Sequence, residues 1–321
     1  DYNIDYNYIV KAISSNNVNF SLSNIVSLHA YQAAAPQISY LSSVSVLGDS
    51  IELNYLGDNG IGIQKVKIYR SENNGIDFDN IYNENNPVFP FIYYDLNAYP
   101  SEKSYMYQVS VINSCNNEVA FSNYGRTIFL QSSSEQFLTN HINWNPYEQW
   151  QNGVEEYQLF YKTNFSNGFL TLSSLGSNQY DYSHVLNDNV VTYPFDGYIC
   201  YKLIADEMDN SFGIAASQSI SNEACVQHQP MVFVPNALYI GGINSEWKPV
   251  INLIDFNEYK VTIFNRLGQL VYELDEYNEI WDGTVLNTGK LAPLGVYIYF
   301  LEFKNVRGDF FHKEGNITLL R

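Results

Sequence analysis

The sequence predicts an all-β protein assembled from several domains. Three observations carry that reading. Aromatic residues make up 16% of the 321 residues, 28 of them tyrosine, and aromatic and β-branched richness favours strands. No long run repeats its apolar residues at helical spacing, whereas Tyr259, Val261 and Ile263 alternate with polar neighbours as a half-buried strand requires. One pattern also recurs at the interval of a whole domain. Tyr8-Ile-Val-Lys-Ala12 is followed by Ser23-Asn24, Tyr107-Gln-Val-Ser-Val111 by Ser122-Asn123, and Tyr201-Lys-Leu-Ile-Ala205 by Ser221-Asn222. The Ser-Asn pairs stand 99 residues apart both times, and a chain of this length holds about three ordinary domains.

The two later copies share more than this. Ile51-Glu-Leu-Asn-Tyr55 matches Ile142-Asn-Trp144, and Val66-Lys-Ile-Tyr-Arg70 matches Tyr157-Gln-Leu-Phe-Tyr161. An early aromatic-bearing strand, a central strand and a late Tyr-x-apolar strand resemble fibronectin type III modules. The resemblance implies β-sandwiches with Tyr55 and Trp144 in their cores. On it, residues 1–35 are the last two strands of a module, residues 36–133 and 134–229 are complete modules, and residues 230–321 form a further domain. Pro36 and Pro230 fall at two of these boundaries, where a strand cannot continue. A two-stranded remnant cannot bury a core alone, so the natural protein is expected to extend beyond residue 1.

The last domain reads as strands and turns. Residues 259–273 form a hairpin about Asn265-Arg266-Leu267-Gly268, with Gly268 supplying a positive φ. Trp281-Asp282-Gly283 joins an apolar anchor to a turn, Val296–Leu301 alternates, and Asn305-Val-Arg-Gly308 leads into a final strand, Ile317–Leu320. With Phe233-Val-Pro-Asn236 before them and Arg321 at the end, these pieces in this order resemble the gliding motility-associated C-terminal domain, the type B sorting domain of type IX secretion cargo. The resemblance implies a C-terminal β-sandwich that acts as a secretion signal and docks on an outer-membrane shuttle β-barrel and the type IX translocon. It also implies display at the cell surface after transit through the periplasm. The chain departs from the family after Pro235-Asn236-Ala237, where Leu238 to Trp247 replaces the usual acidic loop.

Charge limits the partners. The net charge is −18; residues 1–230 hold eight Lys and Arg against 23 Asp and Glu, and residues 231–321 hold eight against eleven. The acidic upstream surface repels nucleic acid, while the nearly balanced C-terminal domain suits a docking surface. No run reaches 18 apolar residues, so no membrane-spanning segment is expected. No signal peptide is present, so the sequence reads as a mature form or a fragment.

Enzymatic chemistry finds no support. The five histidines, at 29, 141, 184, 228 and 312, join no Cys or acidic pair at ligand spacing. No nucleophile-elbow, dinucleotide or phosphate-loop pattern occurs. Glu155 and Glu156 are adjacent and point to opposite faces of a strand. Asp77-Phe-Asp-Asn80 and Asp206-Glu-Met-Asp-Asn210 read as solvated turns rather than calcium loops. Neither a catalytic residue, a cofactor nor a metal is expected. The exposed tyrosines offer stacking faces for surface glycans, but strand tyrosines more often serve as core and cross-strand partners.

Three cysteines leave at least one unpaired. In the fibronectin-like order the strands of Cys200 and Cys225 are hairpin neighbours, and passage through an oxidising periplasm favours a bridge over two buried thiols. Docking is assigned to the turns and terminus that set the sorting domain apart: Arg266, Gly268, Asp282, Gly283, Leu320 and Arg321, with the final strand at a sheet edge. Trp281 is expected in the core. The function expected is that of a non-enzymatic exported surface protein. The alternatives are an accessory subunit resident in the secretion or gliding apparatus, or the non-catalytic tail of a secreted hydrolase.

Overall fold

Alternating apolar and polar residues form strands throughout the computed structural model, which describes residues 4–30, 35–58, 62–135, 138–164, 166–186, 197–242, 245–286, 288–305 and 307–321. By packing the chain divides into two units. The first takes Asp1–Phe129, Pro146–Glu156 and Ile204–Asn222, and the second takes Leu130–Asn145, Tyr157–Leu203 and Glu223–Arg321.

The first unit opens with β1 (Ile4–Tyr8), β2 (Lys11–Ile13), β3 (Phe20–Leu22) and β4 (Val26–Ala30), where β1 pairs with β4 and β2 with β3. Next come β5 (Ser39–Leu47), β6 (Ser50–Gly57), β7 (Ile63–Ser71), β8 (Asp79–Asn85), β9 (Phe91–Asp95), β10 (Met106–Asn113), β11 (Glu118–Phe121) and β12 (Gly125–Arg126). They build a three-stranded sheet, β5-β6-β9, and a second sheet, β11-β10-β7-β8, with β12 also on β10. This is the strand order of a fibronectin type III sandwich. The carboxylate of fully buried Asp95 on β9 ties the sheets together, bonding Arg70 Nη1 on β7 and Tyr107 Oη on β10, each at 2.9 Å. Paired and hydrogen-bonded in this way, a buried charge is tolerated. Tyr55 lies in this core, as expected.

The Ser-Asn repeat has a structural cause. Ser122 interrupts the last strand of the sandwich, between β11 and β12. Its Oγ accepts from Val109 N at 2.9 Å and donates to Asn123 O at 2.7 Å. Ser23 does the same between β3 and β4, accepting from Val10 N at 2.9 Å and donating to Asn24 O at 2.8 Å. The two hairpins differ in burial. Tyr107 and Val109 are 0% exposed, whereas Tyr8 and Val10 are 55% and 71% exposed.

β5 is buried along nearly its whole length. One face meets the sandwich core, and the 146–156 and 204–222 segments of the same unit bond the strand from outside. Trp150 Nε1 donates to Ser42 O at 2.6 Å, Val44 N to Tyr147 Oη at 3.1 Å, and Ser219 Oγ to Val44 O at 2.6 Å. Tyr40 Oη bonds the carboxylate of Glu207. Asn123 completes the clasp, its Nδ2 donating to Leu41 O at 3.1 Å and Gln149 O at 3.0 Å.

The chain continues through β13 (Leu130–Glu135), β14 (Thr139–Trp144), β15 (Val154–Thr163), β16 (Leu170–Gly176), β17 (Asp181–Val185), β18 (Tyr198–Glu207), β19 (Gln218–Ile220) and β20 (Ala224–Gln227). The sheets β13-β14-β17 and β16-β15-β18-β19, with β20 also on β18, repeat the fibronectin-like order. β13 runs across the 133/134 boundary read from the sequence. Trp144 is buried against Tyr157. Within the second unit a polar chain crosses the core. His228 Nε2 lies 2.7 Å from Asn140 Oδ1, Asn140 Nδ2 donates to Tyr201 Oη at 2.6 Å, and Tyr201 Oη lies 2.9 Å from His184 Nδ1. Burial pushes the His184 ring down to about 4 and also lowers His228, so both imidazoles are neutral.

Residues 230–321 supply β21 (Met231–Phe233), β22 (Ala237–Tyr239), β23 (Val250–Asn252), β24 (Tyr259–Phe264), β25 (Leu270–Leu274), β26 (Gly295–Lys304) and β27 (Phe310–Leu320). Five of these form the sheet β22-β27-β26-β24-β25, and β21 pairs with β23. Tyr297, Tyr299, Leu301 and Phe303 of β26 point into the core, leaving Ile298 and Phe300 exposed. The core also holds Trp247 and Trp281, which pair as an isolated bridge with their rings edge to face.

The final strand corrects the sequence reading. It begins at Phe310, well before Ile317, and its end is not at a sheet edge. Thr318–Leu320 pair in parallel with Ala237–Tyr239 on one side, while β26 lies on the other. The apolar Ala237–Tyr239 run takes the edge, held by Thr318 N donating to Asn236 O and Ile240 N donating to Leu320 O, both at 2.9 Å.

Candidate docking site

The Asn265–Gln269 turn is built by its first side chain. Asn265 Oδ1 accepts from Leu267 N at 2.9 Å and Gln269 N at 3.0 Å, and Gly268 takes φ +75°. Asn305 closes the β26–β27 turn in the same way, accepting from Arg307 N and Asp309 N before Gly308 at φ +89°. An asparagine that caps its own turn and a left-handed glycine after it define a short hairpin loop. Arg266, the second residue of its turn, is exposed. Its guanidinium has no hydrogen-bond or ion-pair partner among the described residues.

Beside this turn lies a groove of about 440 Å³. Arg266, Leu267 and Leu270 line it together with Ala292, Pro293 and Leu294 and with Gly295–Tyr297. Leu267 is 84% exposed, and Leu270 and Leu294 are also open to solvent. The 292–294 segment is held in place: Tyr297 Oη donates to Pro293 O at 2.5 Å and Arg321 Nη2 to Ala292 O at 2.9 Å. Arg321 supports this lining from behind its backbone and does not itself line the groove. Nothing in the Ala292-Pro-Leu294 run marks this lining in the sequence; only the exposure of Leu294 does.

The other candidate residues serve the fold. Asp282 Oδ1 accepts from Thr284 N at 3.0 Å and Thr284 Oγ1 at 2.6 Å. Gly283 takes φ +83°, and a Cβ there would lie 2.6 Å from Ile240 Cδ1. Trp281 is fully buried, its Nε1 donating to Thr284 O at 2.8 Å. Leu320 is exposed on its strand, away from Leu319, which is buried. Of the six docking candidates, the structure sets Arg266 and Gly268 in one turn beside the groove, Leu320 and Arg321 at the end of the last strand, and Asp282 and Gly283 in a separate packed turn.

Cys200 and Cys225 face each other on β18 and β20, with Cα atoms 4.0 Å apart, and form a disulfide. Cys115 is free and exposed. Among the described residues no group of three or more His, Cys, Asp or Glu could hold a metal ion, and no helix is long and apolar enough to cross a membrane. Asp77 and Asp206 bond Asn73 and Gln218. Of the loop that departs from the sorting family, Ile243 and Asn244 lie outside the described residues.

Residues 230–319 match the CHU_C Type IX secretion signal domain. The chain therefore carries a type IX secretion signal, preceded by fibronectin-like sandwiches. No curated protein matches it. Among solved structures, pectate lyase Pel3 from Pectobacterium carotovorum is 15% identical over 31% of this chain (TM-score 0.23), and the match spans about a quarter of the lyase, 26%. A tetra-tandem repeat from the extending region of a large adhesion protein is 11% identical over 98% of this chain and 81% of that one (TM-score 0.29). The FN1–FN3 domains of chicken CNTN1 are 12% identical over 89% and 98% (TM-score 0.22).

Proposed function

We propose that this chain is a non-enzymatic cargo of the type IX secretion and gliding system, displayed on the outer face of the outer membrane. Residues 230–321 act as its export signal and dock on an outer-membrane shuttle β-barrel on the way through the translocon. The upstream sandwiches, formed by β5–β12 and by β13–β20, serve as spacer or adhesion modules. The observation that carries this reading is the secretion-signal match at 230–319, on a domain whose exposed turn presents an arginine with no partner among the described residues. The non-enzymatic reading draws support from the buried titratable groups. Asp95 and Glu207 place their carboxylates, and His184 and His228 one ring nitrogen each, in internal hydrogen bonds, which ties them to the packing of the sandwiches. The test is removal of residues 231–321 from a periplasm-targeted chain in a type IX-secreting bacterium. Folded protein retained in the periplasm is the expected result, and normal arrival at the surface or in the medium overturns the reading.

A further inference from the structure

The Arg266 groove is more than an exposed arginine on a turn, because it opens onto an unfinished part of the sheet. β24 ends at Phe264, paired with Ile298. β26 continues past that point to Gly295 and stays paired with β27 down to the Gly295–Leu319 pair. Gly295–Tyr297 therefore have a ladder partner on the β27 side and no strand partner on the β24 side among the described residues. Unpaired backbone at a strand edge is a template for an extended peptide.

The walls of the notch state the chemistry of what enters. Leu267 and Leu294 both line the notch and present exposed apolar surface. The Arg266 guanidinium, with no hydrogen-bond or ion-pair partner among the described residues, lines the notch as well. A guanidinium beside exposed apolar side chains complements a carboxylate set among apolar residues, and it binds a carboxylate as a bidentate pair. The unfinished ladder selects a polypeptide over a lipid headgroup, which has no backbone to add.

Resting on the reading of residues 230–321 as the export signal, we propose that this notch receives an extended, acidic–apolar peptide segment of the secretion machinery. The segment adds to the open edge of Gly295–Tyr297, places apolar side chains against Leu267 and Leu294, and gives a carboxylate to Arg266.

The experiment uses the full chain, carrying p-benzoylphenylalanine in place of Leu294 and irradiated during export in a type IX-secreting bacterium. The cross-linked peptide is then sequenced by mass spectrometry. The expected product is a polypeptide segment with Asp or Glu flanked by apolar residues. Arg266→Gln should lower both that product and surface display at least tenfold with no change in melting temperature. Arg266→Lys, which keeps the charge, should restore part of each. Leu294→Asp, in the unlabelled chain, should also lower display, by placing a like charge against the segment. A cross-link to lipid or to a segment without a carboxylate, no cross-link at all, or normal export of Arg266→Gln overturns the proposal. In any of those cases, retention of the chain lacking residues 231–321 leaves the export-signal reading standing. Normal export of that truncated chain overturns both.

Discussion

Tyr299 and Gly315 oppose each other directly across β26 and β27, and a Cβ on Gly315 would lie 2.6 Å from the Tyr299 hydroxyl. The tyrosine ring covers the glycine, and the pair sits where the sorting-domain sheet meets its tryptophan core. Gly315→Ala should therefore destabilise the domain by about 1–3 kcal/mol through overpacking. The check is a double-mutant cycle by urea denaturation: the cost should shrink when Tyr299 is also changed to Leu. An unchanged cost would place the strain elsewhere.

The His228–Asn140–Tyr201–His184 chain makes stability depend on pH. The ordinary imidazole value of 6.5 applies to the unfolded chain, and burial depresses His184 to about 4 in the folded one. The unfolded state therefore binds more protons between those values. The stability held above about pH 6.5 is lost as pH falls toward 4, and His228, lowered by the same cause, adds to the slope. Urea midpoints at pH 7.5, 5.5 and 4.5 should fall in that order. His184→Gln should flatten the slope while lowering the midpoint at pH 7.5, because a polar group in the network is then imperfectly bonded.

The Cys200–Cys225 disulfide closes a loop over a sequence separation of 25 residues. In the chain-entropy account a loop of that size contributes about 3–4 kcal/mol. A Cys200→Ala/Cys225→Ala chain should unfold at a lower denaturant concentration than the oxidised protein, and dithiothreitol should bring the two midpoints together. Equal midpoints without reductant would mean that the bridge adds nothing to stability.

Local chemistry made part of this structure legible in the sequence. Tyr55 and Trp144 announced buried strand positions, Asn265 and Gly268 announced a hairpin, and Trp281 announced a core anchor. Each signal sits within a few residues of what it predicts. What the sequence hid depends on distant partners. The parallel pairing of Ala237–Tyr239 with Thr318–Leu320 joins segments some eighty residues apart, and nothing near Leu320 signals that its strand is internal. The outer cover of β5 is equally remote, since Ser219 and Trp150 reach Val44 and Ser42 across more than a hundred residues. The notch at Gly295–Tyr297 exists because β24 ends at Phe264, opposite Ile298, while β26 extends three residues further to Gly295, a difference in strand length that side-chain patterns do not encode.

The terminal residues and Arg266 should separate in their effects. Removing Leu320 and Arg321 deletes the acceptor of Ile240 N, a 2.9 Å bond within the β22–β27 pairing, and the Arg321 bond that holds Ala292 O. A net contribution of about 0.5–1.5 kcal/mol attaches to each such bond, and Leu320 also ends a strand paired on both sides. The truncated chain should therefore melt several degrees lower in the C-terminal transition, with loss of display that follows loss of fold. Arg266→Ala removes an exposed side chain with no partner among the described residues, and surface changes of that kind stay within about 0.5 kcal/mol. Its melting temperature should match the parent while its display falls. Calorimetry of both variants beside surface labelling of cells makes the comparison. A truncated chain that melts like the parent would show that the β22 pairing contributes nothing, and an Arg266→Ala chain that unfolds early would make Arg266 a structural residue of its turn.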